Sequence, residues 1–297
     1  MKKVFLFAAA LAVVLAGCSQ DDSVPGSDTR TAALGISSVS MSAAVTTKAD
    51  VTLTTSGSSI GVYRTADAGN GYAAQLSQYT YTTSWASASP VYLNNNNAQI
   101  CAYYPYAYTA TPLAVALTAQ KDDALQDLVY AKNAAYSNTN KTANLTMGHA
   151  YSKITFTITK DATYTGTGAI SSLSLSNAAL VQSNTIDITS GTYGSGTVAT
   201  VTYNPAIASI TTSATTALLL PPTVTAMSGN VSLSIIVDGS TLTTTIPASS
   251  FPSSKLVAGS NYTVALIIKG SALIVGSVAI TDWADTATTG GPWYPSI

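Results

Sequence analysis

The chain contains no glutamate, one histidine and two cysteines among 297 residues, and only 8% of its residues are charged. Ordinary soluble domains carry about a quarter charged residues. One histidine and no glutamate leave almost nothing for a His-rich metal centre or a Glu-based acid/base pair. Twelve Lys and Arg stand against thirteen Asp, and removal of Lys2 and Lys3 with a leader would leave a net charge near −3. Nucleic-acid binding needs a basic face, which this balance excludes. With two cysteines, one of them at the end of a leader, no disulfide framework is available, so stability must come from core burial. Helical periodicity is also missing outside the leader. Thr, Ser, Ala, Val and Tyr dominate, a composition that favours strands.

At the N-terminus Lys2 and Lys3 precede an apolar run from Val4 to Ala16 that is too short to span a bilayer. It is read as a signal peptide over residues 1–17. The run closes on "LAGC", Leu15 to Cys18, which has the form of a lipobox, so cleavage is expected between Gly17 and Cys18 with acylation of Cys18. Several acyl chains at about 0.8 kcal/mol per buried methylene would hold the chain firmly on a membrane. Residues 18–33 are polar, include Asp21, Asp22, Pro25 and Gly26, and are read as a tether.

Period-two alternation organises the remainder. Leu34 and Ile36 are in one phase and Val39, Met41, Ala43 and Val45 in the other, which predicts a strand with a bulge near Ser37 and Ser38. Between Arg30 and Arg64 the only charges are Lys48 and Asp50, where this alternation stops. "SSIGVYRT", the Tyr79 to Trp85 segment, "AQICAYYPY" and "PLAVALTA" follow as strands. The run "NLTMGHAYSKITFTITK" puts Ile154, Phe156 and Ile158 on one face and Lys153, Thr155, Thr157 and Thr159 on the other. "SLSIIVDGSTLTTTI" reads as a hairpin turning at Asp238 and Gly239. Short strands at regular spacing predict an all-β chain of two tandem β-sandwich domains, over residues 49–149 and 150–297.

Few residues offer chemistry. "GSSIG" centres a G-x-S-x-G on Ser59, but a nucleophile elbow needs a strand before the serine and a helix after it, and here the serine opens a strand. "GTYGSG", Gly191 to Gly196, lacks the Lys-Ser/Thr of a phosphate loop and is read as a loop. Asp122, Asp123 and Asp127 lack the spacing of a calcium loop and are expected in a solvated turn. His149 is expected to be a polar residue at a strand start. Tyr103, Tyr104, Tyr106 and Tyr108 surround Pro105; they offer either a stacking platform for sugar rings or a proline-bent strand with half its tyrosines in the core. No catalytic residue, metal or cofactor is expected.

Taken in order, the lipobox, the acidic tether, "IGVYRT", "VYLNNNNAQICAYYPY", "NLTMGHAYSKITFTI", "LVAGSNYTVALIIKG" and the closing "VAITDW" resemble the fimbrillins of Bacteroidetes, the Mfa-like pilin group. The resemblance covers nearly the whole chain. It implies a two-domain pilin with transthyretin-like or Greek-key sandwiches, exported as an outer-membrane lipoprotein and displayed at the cell surface. It further implies that a trypsin-like protease removes an N-terminal strand, here residues 34–48, and that a strand of another pilin subunit fills the groove. On that reading the cut falls between Lys48 and Ala49, with Arg30 and Thr31 as the rival site. Members best known carry Arg at the cut, so Lys leaves the protease unidentified. Lysine also commonly keeps a strand end soluble, which is the plain reading of Lys48. The alternative function is a monomeric, lipid-anchored surface adhesin that binds glycans.

Overall fold

The computed structural model describes residues 31–41, 51–109, 111–122 and 127–283. The first strands are β1 (Ala32–Ala33), β2 (Gly35–Met41), β3 (Val51–Thr52), β4 (Ser59–Arg64), β5 (Gln75–Tyr81), β6 (Trp85–Ala86), β7 (Tyr92–Leu93) and β8 (Ala98–Tyr104). Next come β9 (Val115–Thr118), β10 (Gln120–Lys121), β11 (Val129–Tyr136), β12 (Thr142–His149) and β13 (Ser152–Lys160). The second half adds β14 (Ile170–Ser176), β15 (Val181–Asp187), β16 (Thr192–Tyr193), β17 (Thr197–Val198) and β18 (Val201–Tyr203). It ends with β19 (Ser213–Leu220), β20 (Val231–Val237), β21 (Ser240–Ile246), β22 (Ser260–Lys269) and β23 (Ala272–Asp282). The fold is all-β, as the composition demands; the described helical turns are short 3₁₀ segments.

The first half is an eight-stranded sheet in the order β3-β2-β12-β11-β8-β4-β5-β6, curled until β2 meets β6. Its inner face carries the alternating apolar residues, among them Val39, Ile60, Val62, Ile100 and Met147, in one core. In the second half a five-stranded sheet, β10-β19-β13-β22-β23, packs on a four-stranded one, β18-β14-β20-β21. Between them lie Phe156, Leu173, Ile235, Val264 and Leu266, all fully buried. The run through His149 is not one strand. It ends in the eight-stranded sheet as β12 and resumes in the five-stranded sheet as β13, turning a corner at Ala150 and Tyr151.

Two expected boundaries need correction. The tether predicted over 18–33 ends in paired backbone, because Ala32 and Ala33 sit opposite Leu93 and Tyr92. The first domain predicted over 49–149 does not keep all its residues to itself. β9 pairs with β15 and β10 with β19, so residues 115–121 join sheets of the second half before the chain returns to the eight-stranded sheet as β11. Strand spacing cannot reveal such an excursion, since sheet membership depends on partners distant in sequence.

A third core lies where the halves meet, built from Tyr63, Cys101, Tyr103, Leu117, Leu128, Tyr151, Ile186, Leu219 and Trp283. Several of its tyrosine hydroxyls are engaged, as buried phenols require. Tyr108 and Tyr151 share a hydrogen bond of 2.7 Å, Tyr151 also accepts from the Thr118 amide, and Tyr193 donates to the Ala150 carbonyl. Burial, reinforced by the neighbouring phenol, pushes the Tyr151 and Tyr193 hydroxyls far up. Cys101 is a free thiol in this core, raised to about 12 by burial and then by Asp187, so it is chemically quiet.

His149 and Asp127 correct two further expectations. His149 ends β12 rather than starting a strand, and Asp127 is fully buried rather than solvated. Their side chains meet at 2.5 Å between Nδ1 and Oδ2. The imidazole lies flat on the Trp283 indole, ring centres 3.8 Å apart and planes 8° apart, and the Lys153 ammonium sits 5.2 Å from the same indole while pairing with Asp122. Trp283, directly after β23, thus ties the C-terminal strand to the corner between the halves. Trp283→Ala is expected to cost roughly 3–5 kcal/mol, the usual effect of emptying a buried aromatic site. Denaturant unfolding of the two proteins measures it.

The β20–β21 hairpin turns at Asp238 and Gly239, as the sequence predicts, with φ of +46° and +81°. Both positive values make the primed turn that matches strand twist. Beyond the turn, the Asp238 carboxylate accepts from the Thr167 hydroxyl, the Gly168 amide, the Tyr164 hydroxyl and the Ala169 amide. These donors, led by Thr167, hold its pKa far below the ordinary carboxylate range. The native state therefore binds this proton less readily than the unfolded chain, and the stabilisation is present above the unfolded pKa of about 3.9 and lost as pH falls below it. Asp238→Asn keeps a residue that tolerates the turn but removes the anion. Its melting temperature should fall below wild type at pH 7, and the gap should close in strong acid.

Candidate functional site: the N-terminal strand and its groove

β2 is short, uncharged and deeply inserted. Leu34, Ile36, Val39 and Met41 are 2%, 7%, 0% and 5% exposed, and all four belong to the core of the first half. The strand runs parallel to β12, with Gly35 opposite Thr142 and Met41 opposite Met147. The register shifts between Ile36 and Ser38, where the phase change in the sequence predicts a bulge. On its other side β2 pairs with β3 at Ser40 and Met41, and the Leu53 amide donates to the Val39 carbonyl at 2.8 Å. Burying four such side chains contributes on the order of 5–10 kcal/mol.

The entrance to this groove is fixed by backbone bonds and one phenol. The Leu34 amide donates to the Val91 carbonyl and the Gly35 amide to the Lys141 carbonyl, each at 2.8 Å. The buried Tyr79 hydroxyl donates to the Leu34 carbonyl and accepts from the Val91 amide, both at 3.0 Å. Burial pushes this hydroxyl's pKa up. Ser38 adds a side-chain bond to Asn144 at 2.9 Å. Tyr79 therefore contacts this first strand through the backbone carbonyl of Leu34 and not through a side-chain polar group. Alternation places Tyr79 on the inner face; the need of a buried phenol for a partner is the only signal that marks it as more than packing.

Gly17, Cys18, Arg30, Lys48 and Ala49 lie outside the described residues, as do Asp123 and the tail from 284 to 297; Thr31 is described, just before β1. Ser59 opens β4 and its hydroxyl meets that of Thr80 at 2.9 Å, with strand rather than helix following. Of the four tyrosines around Pro105, one is fully buried and three are half-buried. Tyr103 is fully buried, its ring lying over Gly61, where a Cβ would come within 2.3 Å of it, and its hydroxyl donates to the Thr109 carbonyl. Tyr104 packs on the core of the first half, whereas Tyr106 and Tyr108 pack on the junction core. The strand bent at proline, with its tyrosines divided between cores, is the arrangement found.

Several solved structures share the fold. A protein ascribed to cell adhesion from Bacteroides ovatus aligns with a TM-score of 0.62 at 19% identity, covering 85% of this chain and 99% of that one. A second, also ascribed to cell adhesion, from Bacteroides uniformis, gives 0.58 at 20% identity over 83% and 97% of the two chains. A third, from Bacteroides fragilis, gives 0.50 at 15% identity over 86% and 100%. No curated protein matches the chain. The sequence model of the fimbrillin-like family matches residues 46–283, beginning after β2 and ending on the Trp283 that closes the junction. By that match the chain belongs to the fimbrillin-like family.

Proposed function

We propose that this chain is a surface pilus subunit built around a replaceable first strand. The observation that carries the reading is the setting of β2, which together with the preceding Leu34 brings four buried apolar side chains onto a strand that runs parallel to β12 and, among the described residues, is hydrogen-bonded on its other side only at Val39 to Met41. Apart from the Ser38–Asn144 side-chain bond, what holds β2 is apolar burial and bonding to its backbone, and neither depends on that strand belonging to the same molecule. A neighbouring subunit's strand with the same alternation would satisfy the same groove.

Export follows from the N-terminus. Cleavage between Gly17 and Cys18 and acylation of Cys18 would place the precursor on the outer membrane as a lipoprotein. A trypsin-like protease then cuts between Lys48 and Ala49. Before the cut the tethered strand has an effective concentration of roughly millimolar, so a neighbour's strand cannot easily displace it. Afterwards it can leave, and other pilin subunits become the partners. A cut between Arg30 and Thr31 would free the subunit from lipid but leave Leu34 to Met41 in place. The role is structural and adhesive, without catalysis, cofactor or nucleic acid. The alternative, a monomeric lipid-anchored adhesin that binds glycans, would rest on the half-buried Tyr104, Tyr106 and Tyr108, since Tyr103 is fully buried.

Lys48→Gln is expected to leave folding intact and to abolish denaturation-resistant ladders, whereas Arg30→Gln should leave them. N-terminal sequencing of assembled material should begin at Ala49; polymers beginning at Thr31, or retaining Cys18, would contradict the proposal.

A further inference from the structure

Among the described strands β23 has the longest free edge. Its 11 residues pair with β22 alone, at the margin of the five-stranded sheet. Soluble proteins guard such edges with charge, proline or brevity. Here β23 contains no proline and a single charge, Asp282 at its last position, and residues 270–281, "GSALIVGSVAIT", carry none. Nor is the inner face of the strand closed. Register with β22 places Leu273, Val275, Val278 and Ile280 beside the core residues Ile268, Leu266, Val264 and Tyr262. Leu273 is buried, but Val275 and Val278 are only partly covered, and Ile280 is 47% exposed. On the outer face Ile274 is 41% exposed.

This pattern is self-complementary. The one register irregularity of β23 falls at Gly276, between Val275 and Ser277, near the middle of the strand. A two-fold axis perpendicular to the sheet, passing between Gly276 and Ser277, pairs inner-face residues only with inner-face residues. Leu273 then lies opposite Ile280 of the partner subunit, Val275 opposite Val278 of the partner subunit, and Ile274 opposite Ala279 of the partner subunit. Such isologous contacts are the commonest route to symmetric dimers. With no charge on residues 270–281, the axis brings no like charges together there.

We propose that the β23 edge is an interaction surface for a second copy of this chain, joining the two five-stranded sheets antiparallel into one ten-stranded sheet across a two-fold axis. Hydrophobic pattern sets the register, because a slip by one residue would pair Val275 and Val278 with outer-face positions. The contact lies in the second half, away from the β2 groove, and does not require that groove to be vacated. It would link subunits side by side, in addition to any exchange of strands.

The test uses the full-length chain carrying Cys18→Ala and Lys48→Gln, so that it is neither lipidated nor cut and strand exchange is blocked. Sedimentation at tens of micromolar is expected to give twice the monomer mass. Ala279→Lys, on the exposed outer face, should return the protein to monomer mass with an unchanged circular dichroism spectrum. In the same background, Ile274→Cys with Ala279→Cys should form a disulfide-linked dimer on mild oxidation, and Ile274→Cys alone should not, since its own symmetry mate is distant. Monomer mass at every concentration, a dimer that survives Ala279→Lys, or failure of the double-cysteine protein to cross-link would each overturn the proposal.

Discussion

The parallel pairing of β2 with β12 is the contact on which the first half of the molecule depends. It brings Leu34, Ile36, Val39 and Met41 into the core and places Leu34 against Tyr79. Without these side chains Ile60, Val62 and Met147 would face a trench several residues long. Among the described residues the cysteine, Cys101, is a free thiol, so no disulfide there offsets that loss. The strand is therefore part of the core of the first half, and it is held mainly through its backbone and apolar surface.

The second half is organised differently. Its two sheets enclose a core with no comparable loose strand: β13 is central, flanked by β19 and β22, and buries Ile154, Phe156 and Ile158. The junction couples the halves through tyrosine hydroxyls and through Trp283 stacked on His149. The excursion of residues 115–121 into the sheets of the second half adds covalent and hydrogen-bonded continuity across the same boundary. The core of the second half therefore does not rest on β2.

Local features were legible in the sequence where local physics decides them. The bulge between Ile36 and Ser38, the Asp238–Gly239 turn and the inward face of β13 all follow from period-two alternation or turn chemistry. Features set by distant partners were not. Nothing in "PLAVALTAQK" shows that β9 and β10 pair with strands 60 to 100 residues downstream. Asp127 reads as solvated because it falls in a group with Asp122 and Asp123, yet it is fully buried against His149. The tyrosines around Pro105 left two readings open, and the glycine at position 61, which makes room for the Tyr103 ring, decides between them only once strand register is known.

Hydrogen exchange along β12 tests the central claim, that β2 is a replaceable occupant of its groove, most directly. The amides of Thr142 to Met147 are to be followed in the intact chain, after cleavage at Lys48 and removal of the released strand, and again with excess synthetic peptide spanning residues 31–48. The account predicts protection in the intact chain, its loss once the strand has gone, and its recovery with the peptide. Protection that persists without the strand, or that the peptide cannot restore, would contradict it.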